Sequence, residues 1–159
     1  MKFLPAPWRW DFITKKVKNE GCVFCDNLKK NDRDALICHK GKDFFIILNK
    51  YPYNTAHLMI VPYAHVDTPG KILPQQSVEM WELMTRSMAI LDEHFHPHGF
   101  NIGMNIGQAA GAGIKDHFHL HIVPRWEGDA NFMPVVGETR VLSYDFETIF
   151  NTLYNAFKQ

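Results

Sequence analysis

Three histidines alternate with apolar residues in "HFHLHIVP" (117–124): His117, His119 and His121. Successive side chains of a strand point to opposite faces. The pattern therefore puts three imidazoles on one face and Phe118, Leu120 and Ile122 on the other. A polar face without a task would more naturally carry Thr, Lys or Glu. Neutral imidazole is a good nucleophile and proton carrier near neutral pH. Its attack on phosphorus would form a phosphoramidate and split one displacement into two easier steps. Directly upstream, "GQAAGAGIKD" (107–116) is a glycine-rich loop whose backbone N–H groups can approach a phosphate closely. Loop and triad together point to phosphate chemistry.

A second string, "HFHPH" (94–98), looks similar but reads differently. Pro97 disfavours helix at His96, Gly99 follows as a terminator, and His94 and His98 suit the negative end of a helix dipole. A solvated helix end without function is expected there. The remaining candidate chemistry is Cys22–x–x–Cys25. Without an export signal, this spacing suggests metal or redox use, beside the plainer alternative of a reduced pair in a loop. A structural zinc site needs two further ligands, and no thioredoxin-like βαβ pattern follows the pair. Cys38 falls in an apolar run and reads as packing.

These groups need a scaffold, and the chain can supply one. Its 159 residues are 46% hydrophobic and 13% aromatic, enough for one buried core and too few for two comfortable domains. The division expected is a single domain over 1–159, with an irregular aromatic-rich arm at 1–20, a core over 21–140 and a C-terminal helix over 143–158. Lys+Arg and Asp+Glu number 17 each, which argues against nucleic acid or a membrane surface as the main partner. "MKFLPAPWRWDF" has neither the pattern of a signal peptide nor that of a membrane span, so a cytoplasmic protein is expected.

The hydrophobic pattern outlines the elements. "ALICHKG" (35–41) and "DFFIILN" (43–49) suggest a hairpin turning at Gly41–Lys42, and "HLMIVPY" (57–63) a strand ended by Pro62. "FNIGMNI" (100–106) and "HFHLHIV" (117–123) add two more strands. Trp81, Met84, Met88, Leu91 and Phe95 fall at helical spacing within 75–95. Phe146, Ile149, Phe150, Leu153 and Phe157 do the same, with Ser143 as N-cap and Asp145 and Glu147 in the first turn. The fold class is α+β, a mainly antiparallel sheet of about five strands with a long helix and a C-terminal helix.

"HFHLHIVPRW" closely resembles the histidine-triad (HIT) nucleotide-binding family. The likeness extends through "LNKYPYNTAHLMIVPYAHV" (48–66), "GFNIGMNIGQAAGAGIKDHFHLHIVPRWEGDANF" (99–132), "PAPWRW" and "GCVFC", and is greatest to the bacterial branch that includes diadenosine tetraphosphate phosphorylase. It implies a HIT-like fold, a homodimer and an enzyme acting at the α-phosphate of dinucleoside polyphosphates, by hydrolysis or phosphorolysis through a nucleotidyl-histidine. A phosphoramidate or adenylyl-sulfate hydrolase and a non-catalytic nucleotide-binding module are the alternatives. By position, the resemblance makes His119 the nucleophile, His121 a phosphate contact and His57 their neighbour on the preceding strand. Asn49 would bind the ribose; Asn105, Gly111 and Gly113 would line the phosphate. Many members carry Gln, Ser or Thr where Gly113 falls, which leaves that contact to the backbone. Asn49 as a strand-end turn residue and His57 as a structural histidine remain the rival readings. Zinc-bearing members suggest His65 and His117 as the ligands that complete Cys22 and Cys25 around a structural zinc. Trp126 reads equally as packing, interface anchor or substrate wall.

Overall fold

A computed structural model describes residues 21–129 and 145–159. The arm expected over 1–20, the end of the expected core beyond 129 and Ser143 lie outside the described residues. Strands β1 (Ile37–Lys40), β2 (Phe44–Leu48), β3 (Leu58–Pro62), β4 (Gly99–Gly103) and β5 (Leu120–Arg125) form one sheet in the order β1-β2-β3-β5-β4. Every neighbouring pair is antiparallel. The helices among the described residues are α1 (Val23–Asn27), α2 (Asp32–Ala35), α3 (Pro74–Phe95) and α4 (Phe146–Ala156). The expected α+β class, with its long and C-terminal helices, is what the chain adopts.

Both faces of the sheet are covered, and the alternation of β2 shows how. Phe44, Ile46 and Leu48 face α3 and α4, packing with Leu83, Leu91 and Leu153. Phe45 and Ile47 face the other way, onto Phe24, Met59 and Val61. Hence β2 is buried at every position, and each such side chain contributes roughly 1.5–3 kcal/mol by leaving water. A bulge between Ile37 and His39 turns Cys38 towards the helix side of the sheet, where His39 also stacks on Phe157 of the C-terminal segment. The β1–β2 turn is held by Glu79 of α3, whose carboxylate accepts the amides of Lys42 (2.6 Å) and Asp43 (2.8 Å). A Cβ at Gly41 would push that carboxylate away from the two amides it accepts.

Pro74 opens α3 at a position where its missing N–H costs nothing, and the Gln76 side chain accepts the Leu73 amide at 2.8 Å. Its buried stripe is Leu83, Met84, Ser87, Ile90, Leu91 and Phe95. Trp81 does not belong to it: at 64% exposure it lies about a quarter turn round the helix from the stripe. Ser87 is tolerated inside because its hydroxyl donates to the Leu83 carbonyl at 2.7 Å. The helix stops at His96, in the left-handed region with φ 47°; Gly99, expected as terminator, is instead the first residue of β4. Trp126 takes up the helix end, its indole N–H donating to the carbonyls of Phe95 (3.2 Å) and His96 (3.1 Å). At the other long helix, Asp145 rather than Ser143 is the N-cap, accepting the Thr148 amide at 2.9 Å.

The triad strand begins later than its alternation suggests. β5 starts at Leu120, and His117 to His119 form a lead-in whose Phe118 amide donates to the Val66 carbonyl at 2.7 Å. β3 pairs with β5 only from Leu58↔Ile122 to Ile60↔Leu120, so nothing on that edge extends the ladder earlier. The same short pairing lets Pro124 sit inside β5, because at that point β4 is the one strand that flanks it among the described residues. β4 ends at Gly103, opposite His121, before the expected 104–106.

Candidate active site and metal centre

His119 and His121 share the sheet face opposite α3 and α4, their ring centroids 4.6 Å apart, and His57 lies 5.0 Å from His121. All three are buried. Each ring's hydrogen position follows from its partners. The Tyr53 backbone N–H donates to His57 Nδ1 at 3.0 Å, with the Asn49 carboxamide nitrogen also 3.2 Å from it. An amide N–H can only donate, so His57 carries its hydrogen on Nε2. That N–H donates to His121 Nδ1 at 2.9 Å, which leaves neutral His121 with its hydrogen on Nε2. His121 Nε2 is buried and has no hydrogen-bond partner among the described residues.

His119 is set the opposite way. Its Nδ1–H donates to the His117 carbonyl at 3.1 Å, so the Nε2 lone pair is free. The site thus pairs one free nucleophilic nitrogen with one buried N–H donor that has no partner among the described residues. Burial holds His119 below the ordinary imidazole range; burial, followed by repulsion from His119, takes His121 down to about 4. Near neutral pH both rings are uncharged, as a nucleophile and a tautomer-defined donor require.

The loop between β2 and β3 holds His57 in place. Asn49 lies at its start, buried, with its carboxamide oxygen accepting the Tyr51 amide at 3.0 Å. Asn54 donates to the Pro124 carbonyl (3.0 Å) and the Asp129 carboxylate (2.7 Å). Arg125 grips that carboxylate through two nitrogens and draws it down to about 2. Tyr53 lays its ring over His57 and His121, with centroids at 4.6 and 5.4 Å. Ala56, next to His57, adopts φ 56°, an uncommon setting for a residue with a Cβ. Asn105, Gly111 and Gly113 lie in the loop that leaves β4 opposite His121 and returns to the chain at His117. Gly111 takes φ 82° there, closing a short 3-10 turn.

Cys22 precedes α1 as its N-cap and Cys25 lies in its first turn, so both thiols point the same way. They meet His65 and His117, and one ligand atom from each of the four lies within 4.8 Å of all the others. Cys22 Sγ is 3.3 Å and Cys25 Sγ 3.7 Å from His117 Nδ1, and Cys25 Sγ is 3.4 Å from His65 Nδ1. Tetrahedral zinc with thiolate and imidazole ligands has S···N edges of about 3.6 Å, so the donor set fits that ion in type and spacing. His117 Nε2–H donates to the Pro62 carbonyl at 2.8 Å, which presents Nδ1 as the ligand atom.

The structure therefore brings Asn49, His57, His119 and His121 into one group and Cys22, Cys25, His65 and His117 into another, with His117 adjoining both, while Asn105, Gly111 and Gly113 are placed only on the loop between β4 and β5. Sequence reasoning missed Tyr53 and Phe24. Phe24 meets the rings of His117 and His119 at 5.4 and 5.0 Å. Its position between the two cysteines was the available signal. In the "HFHPH" string, His98 Nδ1 accepts the Glu127 amide at 2.9 Å, and His96 serves as the helix C-cap.

Comparison with known proteins agrees with this architecture. The chain is 38% identical over 112 residues to AP-4-A phosphorylase of Mycobacterium tuberculosis, covering 70% of this chain and 57% of that protein. It thus spans little more than half the length of that relative. A Zn-bound histidine triad family protein from Mycobacterium smegmatis superposes with a TM-score of 0.69 at 27% identity, covering 87% of this chain and 94% of that one. A histidine triad nucleotide-binding protein from Sulfolobus tokodaii shares the fold at a TM-score of 0.68 and 22% identity, covering 86% of this chain and 92% of its own. The HIT domain family model matches residues 30–128, and the chain belongs to the HIT family.

Proposed function

We propose that this protein is a nucleotidyl-transferring enzyme that acts at the α-phosphate of dinucleoside polyphosphates such as diadenosine tetraphosphate. The observation that carries this reading is the opposed protonation of the two neighbouring rings: a free Nε2 on His119 and a buried Nε2–H on His121 that has no partner among the described residues. The name of the M. tuberculosis relative supports the substrate class.

In the first step the Nε2 lone pair of His119 attacks the α-phosphorus, and the bond to the bridging oxygen breaks. The leaving nucleoside polyphosphate takes that electron pair as an anion and needs no proton to depart. The new phosphoramidate is cationic on the ring because His119 Nδ1 keeps its hydrogen, which the His117 carbonyl stabilises. His121 Nε2–H donates to a phosphate oxygen, a contact prepared before substrate arrives. The backbone around Gly111 and Gly113, with Asn105, lines the phosphates, and Asn49 reaches the ribose by turning from Tyr51. In the second step water, which gives up a proton to solvent, or an oxygen anion of inorganic phosphate attacks phosphorus, and the P–N electron pair returns to His119 Nε2.

The reading includes one zinc held by Cys22, Cys25, His65 and His117, which supplies a structural cross-link rather than a reacting group. It also includes a homodimer, in keeping with the exposed edge of β4, and a single folded unit over 1–159 working in the cytoplasm. Among the described residues no helix is long and apolar enough to cross a membrane.

The deciding experiment incubates the protein with diadenosine tetraphosphate, with and without phosphate, and identifies the nucleotides formed. AMP with ATP marks water as acceptor; ADP with ATP, dependent on phosphate, marks phosphorolysis. Unchanged substrate with retained binding would leave a nucleotide-binding module instead.

A further inference from the structure

Phe24 stands between the two thiols of "CVFC" (22–25) and belongs to neither of the chemistries around it. It is 2% exposed, although the helix carrying it has five residues and its cysteines are only half-buried. A helix that short has no stability of its own, so the ring anchors it, packing on Phe45, Ile47 and Met59. On its remaining side the ring meets two imidazoles. The His117 ring lies at 5.4 Å and 78°, and the His119 ring at 5.0 Å and 63°. Both are the edge-on arrangement that aromatic rings favour.

The His119 ring needs such a neighbour. Terminal rotation of an imidazole has two broad settings related by a half turn. One puts Nδ1–H on the His117 carbonyl and leaves Nε2 open; the other removes that hydrogen bond and redirects both nitrogens. A single hydrogen bond at 3.1 Å favours the first setting, but the space around the ring decides whether the second is accessible. A phenyl ring is rigid and has only two side-chain torsions. Leucine fills comparable space without a planar edge.

We propose that Phe24 is a positioning residue for His119: its ring, seated by the helix that bears Cys22 and Cys25, holds the imidazole with Nε2 open towards the reacting phosphorus. This rests on the nucleotidyl-transfer reading above for its consequence in turnover, though not for the ring orientation itself. It also gives the metal centre a second route to the reacting group, through α1 and the Phe24 ring, beside the direct route through the His117 carbonyl.

The test compares Phe24→Leu with Phe45→Leu in the full-length, metal-loaded protein. Phe45 is a buried member of the same apolar cluster, and its ring contact is with Tyr63 at 5.5 Å. Both variants should keep the wild-type metal content and lose similar thermal stability. Phe24→Leu should lower kcat about ten- to a hundredfold with KM nearly unchanged, the scale of a small misplacement of a reacting group. Phe45→Leu should leave both constants near wild type. Long-range 1H–15N spectra of the histidine side chains read the ring directly. Wild-type His119 should show one Nδ1–H tautomer and Phe24→Leu a mixture.

An unchanged His119 spectrum in Phe24→Leu would overturn the proposal, as would equal losses of kcat in the two variants. Loss of metal in Phe24→Leu with turnover restored by added zinc would also overturn it, since the ring would then serve only the ligands. The spectrum decides even if wild-type protein turns over no nucleotide, an outcome that would overturn the functional reading alone.

Discussion

His57 Nε2 lies 2.9 Å from His121 Nδ1, and this contact sets the hydrogen of His121 on its buried Nε2. The determination starts one residue further back, at the Tyr53 amide, which can only donate to His57. A backbone N–H thus fixes two imidazole tautomers in succession.

Removing the middle of this chain should randomise its end. His57→Leu keeps apolar volume but frees His121 Nδ1 to take the hydrogen. We expect kcat for diadenosine tetraphosphate to fall about ten- to a hundredfold, the size typical of a lost orienting partner, while the protein remains folded. Steady-state kinetics with circular dichroism checks this, and wild-type kcat in the folded variant would contradict the tautomer argument.

Burial of His121 also has a consequence for acid stability. Its value is lowered from 6.5 to about 4, by burial first and then by His119; His57 and Tyr53 are the other groups facing it. The unfolded chain takes up a proton near 6.5 and the folded one does not. The associated stability is therefore complete above about pH 6.5 and is lost as pH falls through about 4, roughly 3 kcal/mol at most. Urea unfolding of wild type and His121→Gln between pH 7.5 and 4.5 should show the variant with the flatter profile. Parallel profiles would exclude His121 as a source of the slope.

The metal reading predicts about one zinc per chain in purified protein. Cys22→Ser or His65→Ala should release it and lower Tm, because α1 and the lead-in to β5 would lose their cross-link. Elemental analysis and thermal melts test both statements. Metal-free protein melting at the same temperature as the metal-loaded form would remove zinc as a structural element.

Much of this architecture was legible because its signals are local. The apolar runs in 44–48 and 58–62, the two helical stripes and the contiguous triad each lie within one element. The errors arose where a second segment decides. His117 to His119 alternate like a strand, but β3 offers them no partner, and the Phe118 amide turns to Val66 instead. Trp81 fits a helical stripe about a quarter turn away from the one that is buried. Within the site, Cys22 and Cys25 announce themselves by spacing, whereas His65 and His117 entered through family resemblance. Phe24 and Tyr53 touch histidines far along the chain, and the only local sign of either is the place of Phe24 between the two cysteines.

An assembly prediction follows from the edge of the sheet. Among the described residues β4 has one strand neighbour; Ile102 on it is 39% exposed, Ile106 in the loop that follows is 41% exposed, and Trp81 on α3 is 64% exposed. An apolar, unpaired edge is a site for association. Light scattering across micromolar concentrations should give the mass of a dimer, and Ile102→Lys should shift it towards the monomer. A monomeric wild type would refute the homodimer.

The most discriminating comparison sets the two histidine strings against each other. His119→Ala should abolish nearly all turnover yet leave nucleotide binding largely intact, since what is lost is a bond formed only during reaction. His96 has the same two preceding letters but caps α3 in a left-handed conformation. His96→Gly should therefore leave turnover unchanged and Tm no lower, because glycine adopts that backbone without a Cβ penalty. Trapping the reaction intermediate should yield an acid-labile, alkali-stable nucleotidyl adduct, as a phosphorus–nitrogen bond requires, on the peptide containing His119. Activity surviving in His119→Ala, or an adduct on another peptide, would refute the covalent mechanism while leaving nucleotide binding in place.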